Sequence, residues 1–358
     1  MAVNLATKYE KQFAAAFKPT SFFEGKVNDK FDFSGAKSIR IYSPVTTPLT
    51  DYTRSGANRY GTPAEMNSVV QELTLTQDKA FTQTIDRGNF DDTMMSISAA
   101  SWMSEEIKGV VIPTLEKYAA DKWIREAGRV EGISAKPTKT TVVEAFLNGM
   151  QAMTDKYVPN EERYLYITAE MLKAVMLADE FVKADKLAEK AMSKGVIGEL
   201  AGAKVVVLPT GYLPADAYGF LARKDSILLP KKISTFKTHT NPPGIDGWLV
   251  EGRVYYDAFV LGAKADGVWA LVLGSKKQAA PEISFAEGSL TITSAGAERI
   301  IYTTNGADPR YDDKAKAYTG AVSTTEWEAG KYTVRAVAYG GTSTPFTSDV
   351  AEKEITVA

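Results

Sequence analysis

Apolar positions along this chain recur with different periods, and each change of period marks a change of element. Residues 1–36 mix a helix-favouring piece, Lys8 to Phe17, with the turn-rich stretch Pro19 to Gly35 and hold no sustained period, the pattern of an arm. Ser38-Ile39-Arg40-Ile41-Tyr42 is then apolar at alternate positions. Further on, Leu73, Leu75, Phe81 and Ile85 share one face of a strand predicted from Glu72 to Asp86, so two legs of a long hairpin are expected. Between the legs, Ser43 to Gln71 is 29 residues rich in Pro, Thr, Ser, Gly and Asn, with no pattern able to form a core of its own. Ordering such a segment costs on the order of 30–60 kcal/mol, which its own side chains do not offset, so it is either a mobile surface loop or one held by another chain.

From Asp92 to Gly128 the period lengthens. Met95, Trp102, Met103, Ile107, Val110, Val111, Tyr118, Trp123 and Ile124 recur at three- and four-residue steps, with Asp91 or Asp92 as cap and Gly128 as stop, which predicts a spine helix about 50 Å long. Pro113 removes one of its backbone hydrogen bonds and crowds the Gly109 carbonyl, so a bend is expected there. Helices at Thr141 to Tyr157 and Ala169 to Phe181 alternate with strands at Tyr164 to Thr168, Lys204 to Leu208 and Tyr218 to Ala222, an α+β arrangement. Strand-like runs at Lys232 to Thr240, Gly247 to Phe259 and Val268 to Leu273 close the body. Gly274 to Pro281 lacks large apolar side chains and reads as a linker. The short alternating runs of residues 282–358 predict a small all-β sandwich.

Charge and composition narrow the function. Lys plus Arg number 42 against 44 Asp plus Glu, so no global field draws the chain to nucleic acid or an anionic membrane. With no cysteine, disulfides, thiolate metal sites and a thiol nucleophile are excluded. Residues 1–32 lack the apolar run of a signal peptide, and no apolar run approaches the roughly 20 residues that span a bilayer.

Three stretches together resemble the major capsid proteins of tailed phages, whose fold is called the Johnson or Hong-Kong-ninety-seven-like fold. They are Asp51-Tyr52-Thr53-Arg54-Ser55-Gly56 with Asn58-Arg59-Tyr60-Gly61, running on through Gln71-Glu72 to Asp86-Arg87-Gly88-Asn89; Gly195-Val196-Ile197-Gly198 with Gly202 before Val205-Val206-Val207; and Gly247 to Leu273. The resemblance implies an N-terminal arm (1–36), an extension loop (37–90), a peripheral domain (91–137 and 226–273) carrying the spine helix 92–128, and an axial domain (138–225). It implies hexamers and pentamers of this chain forming an icosahedral shell around double-stranded DNA, contacted on the inner face without sequence specificity. The loop would lie on a neighbouring subunit, through Tyr52, Arg54, Arg59, Tyr60 and Arg87. Because residues 43–71 hold no lysine, the shell is expected to be non-covalent, unlike that of members cross-linked through a loop lysine. The arm is too short to be a scaffolding segment, so a separate scaffolding protein is expected, with a portal and decoration proteins as further partners. Assembly is expected in the bacterial host cytoplasm. The C-terminal unit resembles the immunoglobulin-like domains appended to chitobiases, through Ile301-Tyr302-Thr303-Thr304-Asn305-Gly306-Ala307-Asp308-Pro309 and Gly330 to Ala336. Hung on its linker, it would decorate the outer surface.

No enzymatic constellation competes with this reading. His239, the sole histidine, has no nucleophile or metal partner at recognisable spacing. The paired acids suit caps and solvated faces, and Asp308, Asp312 and Asp313 lack the EF-hand spacing. No cofactor is expected. Tyr311, Tyr318 and Trp327 are candidate sugar-stacking aromatics for host glycans, although core or cross-strand roles explain such residues as well. Two rivals stay open: an encapsulin-like nanocompartment shell, distinguished by cargo in place of DNA, and a glycan-binding surface module, distinguished by sugar binding without particles.

Overall fold

A computed structural model describes residues 21–31, 33, 36–46, 49–61, 68–92, 99–178 and 196–357. The expected helix at 8–17 and the first residues of the spine helix lie outside them, as do residues 179–181 of the predicted helix 169–181 and Gly195. The chain begins with β1 (Ser38–Pro44), β2 (Ser68–Thr74), β3 (Gln77–Asp86), α1 (Arg87–Asp92) and α2 (Ala99–Glu106). A π-turn (Ile107–Val111) leads into α3 (Ile112–Arg125). There follow β4 (Arg129–Ile133), α4 (Val142–Asp155), β5 (Arg163–Thr168), α5 (Ala169–Met176), β6 (Val196–Leu200), β7 (Ala203–Leu208), β8 (Ala217–Arg223) and β9 (Ile227–Leu228). The body ends with β10 (Lys231–Thr240), β11 (Gly247–Tyr256), β12 (Phe259–Val260) and β13 (Val268–Leu273).

The centre is a six-stranded mixed sheet in the order β4-β13-β8-β5-β7-β6. Its inner strands β13, β8 and β5 are mostly apolar and buried because both faces are covered. Tyr164, Tyr166, Val206, Phe220, Val268 and Ala270 point to one side, against Trp123 and Ile124 of α3. Leu165, Ile167, Val205, Leu221, Trp269 and Leu271 point to the other, against Phe146 and Met150 of α4 and Met171 of α5. That is the two-residue alternation of a strand read out on two cores. Gly149 is required by this packing, since a Cβ there would lie 2.7 Å from the Trp269 ring. A second sheet, β10-β11-β3, is separate from the first, and β1 and β2 form a two-stranded sheet among the described residues.

Three expectations need correction. The strand foreseen from Glu72 to Asp86 is two strands in different sheets, β2 with β1 and β3 with β11, divided at Leu75-Thr76. The expected domain boundaries after residues 137 and 225 fall within one sheet: β4 and β13, which lie outside 138–225, are bonded into it through β8. The spine, described from Ala99, is interrupted and ends at Arg125. Ile112 N–H donates to the Ile107 carbonyl, five residues back, so the irregularity precedes Pro113, which sits in the first turn of α3 where a missing N–H costs little.

After a 3₁₀ turn at Gly274–Lys276, the last unit holds β14 (Glu282–Ala286), β15 (Ser289–Thr293), β16 (Ala297–Thr303), β17 (Lys316–Ala317), β18 (Val322–Ser323), β19 (Gly330–Gly340) and β20 (Ala351–Val357). Sheets β14-β15-β18 and β17-β16-β19-β20 contribute to one apolar cluster, with Leu290, Ile292, Tyr302, Val334 and Ile355 at its centre.

Candidate functional site: the long hairpin and its anchors

The β1–β2 hairpin is locked at its base. Leu73 and Leu75 are buried with Phe33, Leu228, Phe259 and Leu261, and Ile39 and Ile41 pack against this cluster from β1. Gln71 ties the hairpin to the body through both ends of its amide: Nε2 donates to the Val260 carbonyl (2.9 Å), and Oε1 accepts from Gly262 N–H (2.8 Å). Arg40 and Glu72 pair across the strands at 3.1 Å on the exposed face, where solvent screens the contact.

The break between β2 and β3 is organised by Asp257, which sequence reasoning missed. Its fully buried carboxylate accepts from the Thr76 N–H (2.9 Å) and hydroxyl (2.8 Å), the Tyr118 hydroxyl (2.8 Å), the Lys122 ammonium (3.1 Å) and its neighbour's Ala258 N–H (2.8 Å). Hairpin, spine helix and β11–β12 corner therefore meet on one charge. Burial works against the Lys122 ammonium, but Glu126 and Asp257 outweigh it and hold its pKa above the ordinary lysine value. A second anchor fixes the arm. Glu116 Oε1 accepts from Ser21 Oγ (2.6 Å), Phe22 N–H (2.8 Å) and Phe23 N–H (3.3 Å), while Phe23 wedges between Trp123 and Tyr166. Burial pushes the Glu116 carboxyl above the usual range, and those hydrogen bonds only partly pull it back.

Beyond Pro44 the hairpin changes character. Every described residue from Pro44 to Tyr60 is exposed. Tyr42, Val45, Leu49, Tyr52 and Tyr60 are among the exposed large apolar side chains, with Leu49 and Tyr60 almost wholly in water. The tip is nonetheless shaped: Thr53 N–H donates to the Arg59 carbonyl (3.1 Å), the Tyr52 and Tyr60 rings meet edge to face at 5.0 Å, and Arg59 Nε donates to the Gly56 carbonyl (3.1 Å).

Four of the five candidate contact residues, Tyr52, Arg54, Arg59 and Tyr60, thus share this exposed tip. Arg87 does not: it lies at the far end of β3, pairs with Asp246 (3.2 Å) and donates to Asn241 (2.8 Å), so its partners are in its own chain. The candidate sugar platform is likewise not assembled. Tyr311 is buried in the body's core, Tyr318 packs edge to face on Tyr302, and Trp327 leans on Tyr332. Asp308 pairs with Arg310 and Asp312 accepts from Asn305, and among the described residues no acidic or histidine cluster suits a metal ion. His239 is half exposed and lies 3.2 Å from Glu251. Among the described residues, no helix is long and apolar enough to cross a membrane.

No protein-family model matches the chain, and no curated protein does. Solved structures do. A chain from Mycobacterium phage Che8 superposes with a TM-score of 0.59 at 16% identity, over 75% of this chain and 98% of that one. The capsid structure of the cyanophage P-SCSP1u gives 0.59 at 14% identity, over 76% and 93%. The mature capsid of bacteriophage PhiM1 gives 0.54 at 13% identity, over 75% and 92%. The chain has a phage capsid fold. About a quarter of it lies outside what this capsid fold shares with its neighbours.

Proposed function

We propose that this chain is the major capsid protein of a tailed bacteriophage, assembling as hexamers and pentamers into an icosahedral shell around double-stranded DNA. The observation that carries the reading is the hairpin: a firmly anchored element that presents Leu49, Tyr52 and Tyr60 to solvent, exposed among the described residues. Apolar side chains concentrated on a projecting element are the mark of an interface, and identical copies supply the simplest partner. Arg54 and Arg59 flank these side chains and are assigned to carboxylates of the neighbouring subunit; Arg87 leaves that set.

In this reading, residues 1–36 are the arm, 37–90 the extension loop, 91–137 with 226–273 the peripheral region and 138–225 the axial region, all parts of one packed body. Residues 282–358 are an immunoglobulin-like unit of 77 residues appended to the capsid body. A separate scaffolding protein and a portal complete the assembly. Electron microscopy of the recombinant full chain, alone and with its scaffolding protein, is expected to show closed particles. Boiled particles should run as one band near 38.9 kDa, because residues 43–71 hold no lysine to cross-link. A chain that stays monomeric under both conditions overturns the proposal.

A further inference from the structure

A helix ends with carbonyls that have no partner within it, and a buried end must find donors elsewhere. The end of α3 finds them in the C-terminal unit. The Thr347 hydroxyl donates to the Arg125 carbonyl (2.6 Å) and the Tyr311 hydroxyl to the Glu126 carbonyl. Arg310 then donates through Nη1 to the Ala127 carbonyl (2.5 Å) and through Nη2 to the Gly128 carbonyl (3.0 Å). Four consecutive carbonyls, from the last residue of α3 through the turn that follows it, are thus satisfied by the C-terminal unit, and the group beside the helix end is a cation, the sign that a helix C-terminus favours.

The contact is built rather than incidental. The Arg310 side chain is only 4% exposed and is neutralised by Asp308 at 2.6 Å. Tyr311 and Phe346 are buried within the body's own cluster, beside Ala127, Val130, Val260 and Ala265. Gly262 makes room for this approach, since a Cβ there would stand 2.4 Å from the Tyr311 Cβ. In return Arg125 donates to the Pro345 carbonyl (2.6 Å) and lies over the Phe346 ring. The segment expected as a free linker is bonded too: Phe346 N–H donates to the Lys276 carbonyl (3.2 Å) and Gln278 N–H to that of Phe346 (2.9 Å). Finally, Asp313 N–H donates to the Val70 carbonyl (2.8 Å), which reaches the edge of β2 at the base of the hairpin.

We propose that residues 282–358 act as an internal staple, capping the spine helix through Arg310, Tyr311 and Thr347 and bracing the hairpin base through Asp313. A unit that would otherwise only decorate the surface thereby fixes the position from which the hairpin leaves the body. The staple belongs to the single chain and stands whether or not the chain forms shells.

Hydrogen exchange on the unassembled full-length protein tests it. Replacing Arg310→Met together with Tyr311→Leu is expected to speed exchange on the order of tenfold at residues 69–71 and 126–130, with β5 unchanged. Acceleration confined to residues 297–357 overturns the staple. If the double variant does not fold, Tyr311→Phe combined with Thr347→Val keeps the bulk and removes two donors. Faster exchange at 126–130 in that variant supports the proposal, and wild-type exchange there refutes it.

Discussion

The two ends of the β1–β2 hairpin are made of similar residues in opposite circumstances. At the base, Leu73, Leu75, Gln71 and the Thr76 backbone each have partners inside the chain; at the tip, Leu49, Tyr52 and Tyr60 have water and one another. Tyrosine at 311 sits in a core while tyrosine at 60 stands in solvent, so residue type does not decide which end is structural. The base is a joint and the tip is a surface, and substitutions at the two should separate folding from association.

The sharpest break comes at the base. Asp257→Ala leaves the partly buried Lys122 ammonium and two hydroxyl donors without their acceptor, and should lower stability by about 3–5 kcal/mol in denaturant unfolding. Leu75→Ala, at a fully buried position, should cost about 2–4 kcal/mol in the same measurement. At the tip, Leu49→Ser with Tyr60→Ser should leave protomer stability within about 0.5 kcal/mol of wild type. The same pair should weaken association by about 2 kcal/mol or more, read as loss of particles in sedimentation. Stability lost along with assembly would erase the distinction between the two ends. Arg40→Ala, at an exposed and solvent-screened pair, should leave the denaturant midpoint close to that of wild type.

The smallest effect sharpens the comparison at the second anchor. The folded-state pKa of Glu116 is raised, so the folded chain holds its proton more tightly than the unfolded chain, and stability falls as pH rises from the ordinary glutamate range through the raised value. Glu116→Gln keeps an acceptor for Ser21, Phe22 and Phe23 without the buried charge. It should therefore be slightly more stable than wild type above that window and indistinguishable from it below the ordinary glutamate range. Thermal midpoints of both proteins across pH check the sign.

Much of this was legible in the residues. Alternation marked β1 and the longer strands of the last unit, and the three- and four-residue period marked α3, because the face a residue turns to the core is set by local geometry. The exposed tip was legible for the complementary reason: a long segment without a pattern has nothing to bury. What the residues alone did not disclose are the contacts between distant segments. Asp257 meets Thr76 across 181 positions and Arg310 meets Ala127 across 183. Contacts of that kind divide one expected strand into two and convert Tyr311 from a surface aromatic into a buried cap. Local order follows from periodicity within a few residues. The joints follow from which carbonyls and charges the finished fold leaves in need of a partner, and only the tertiary structure decides that.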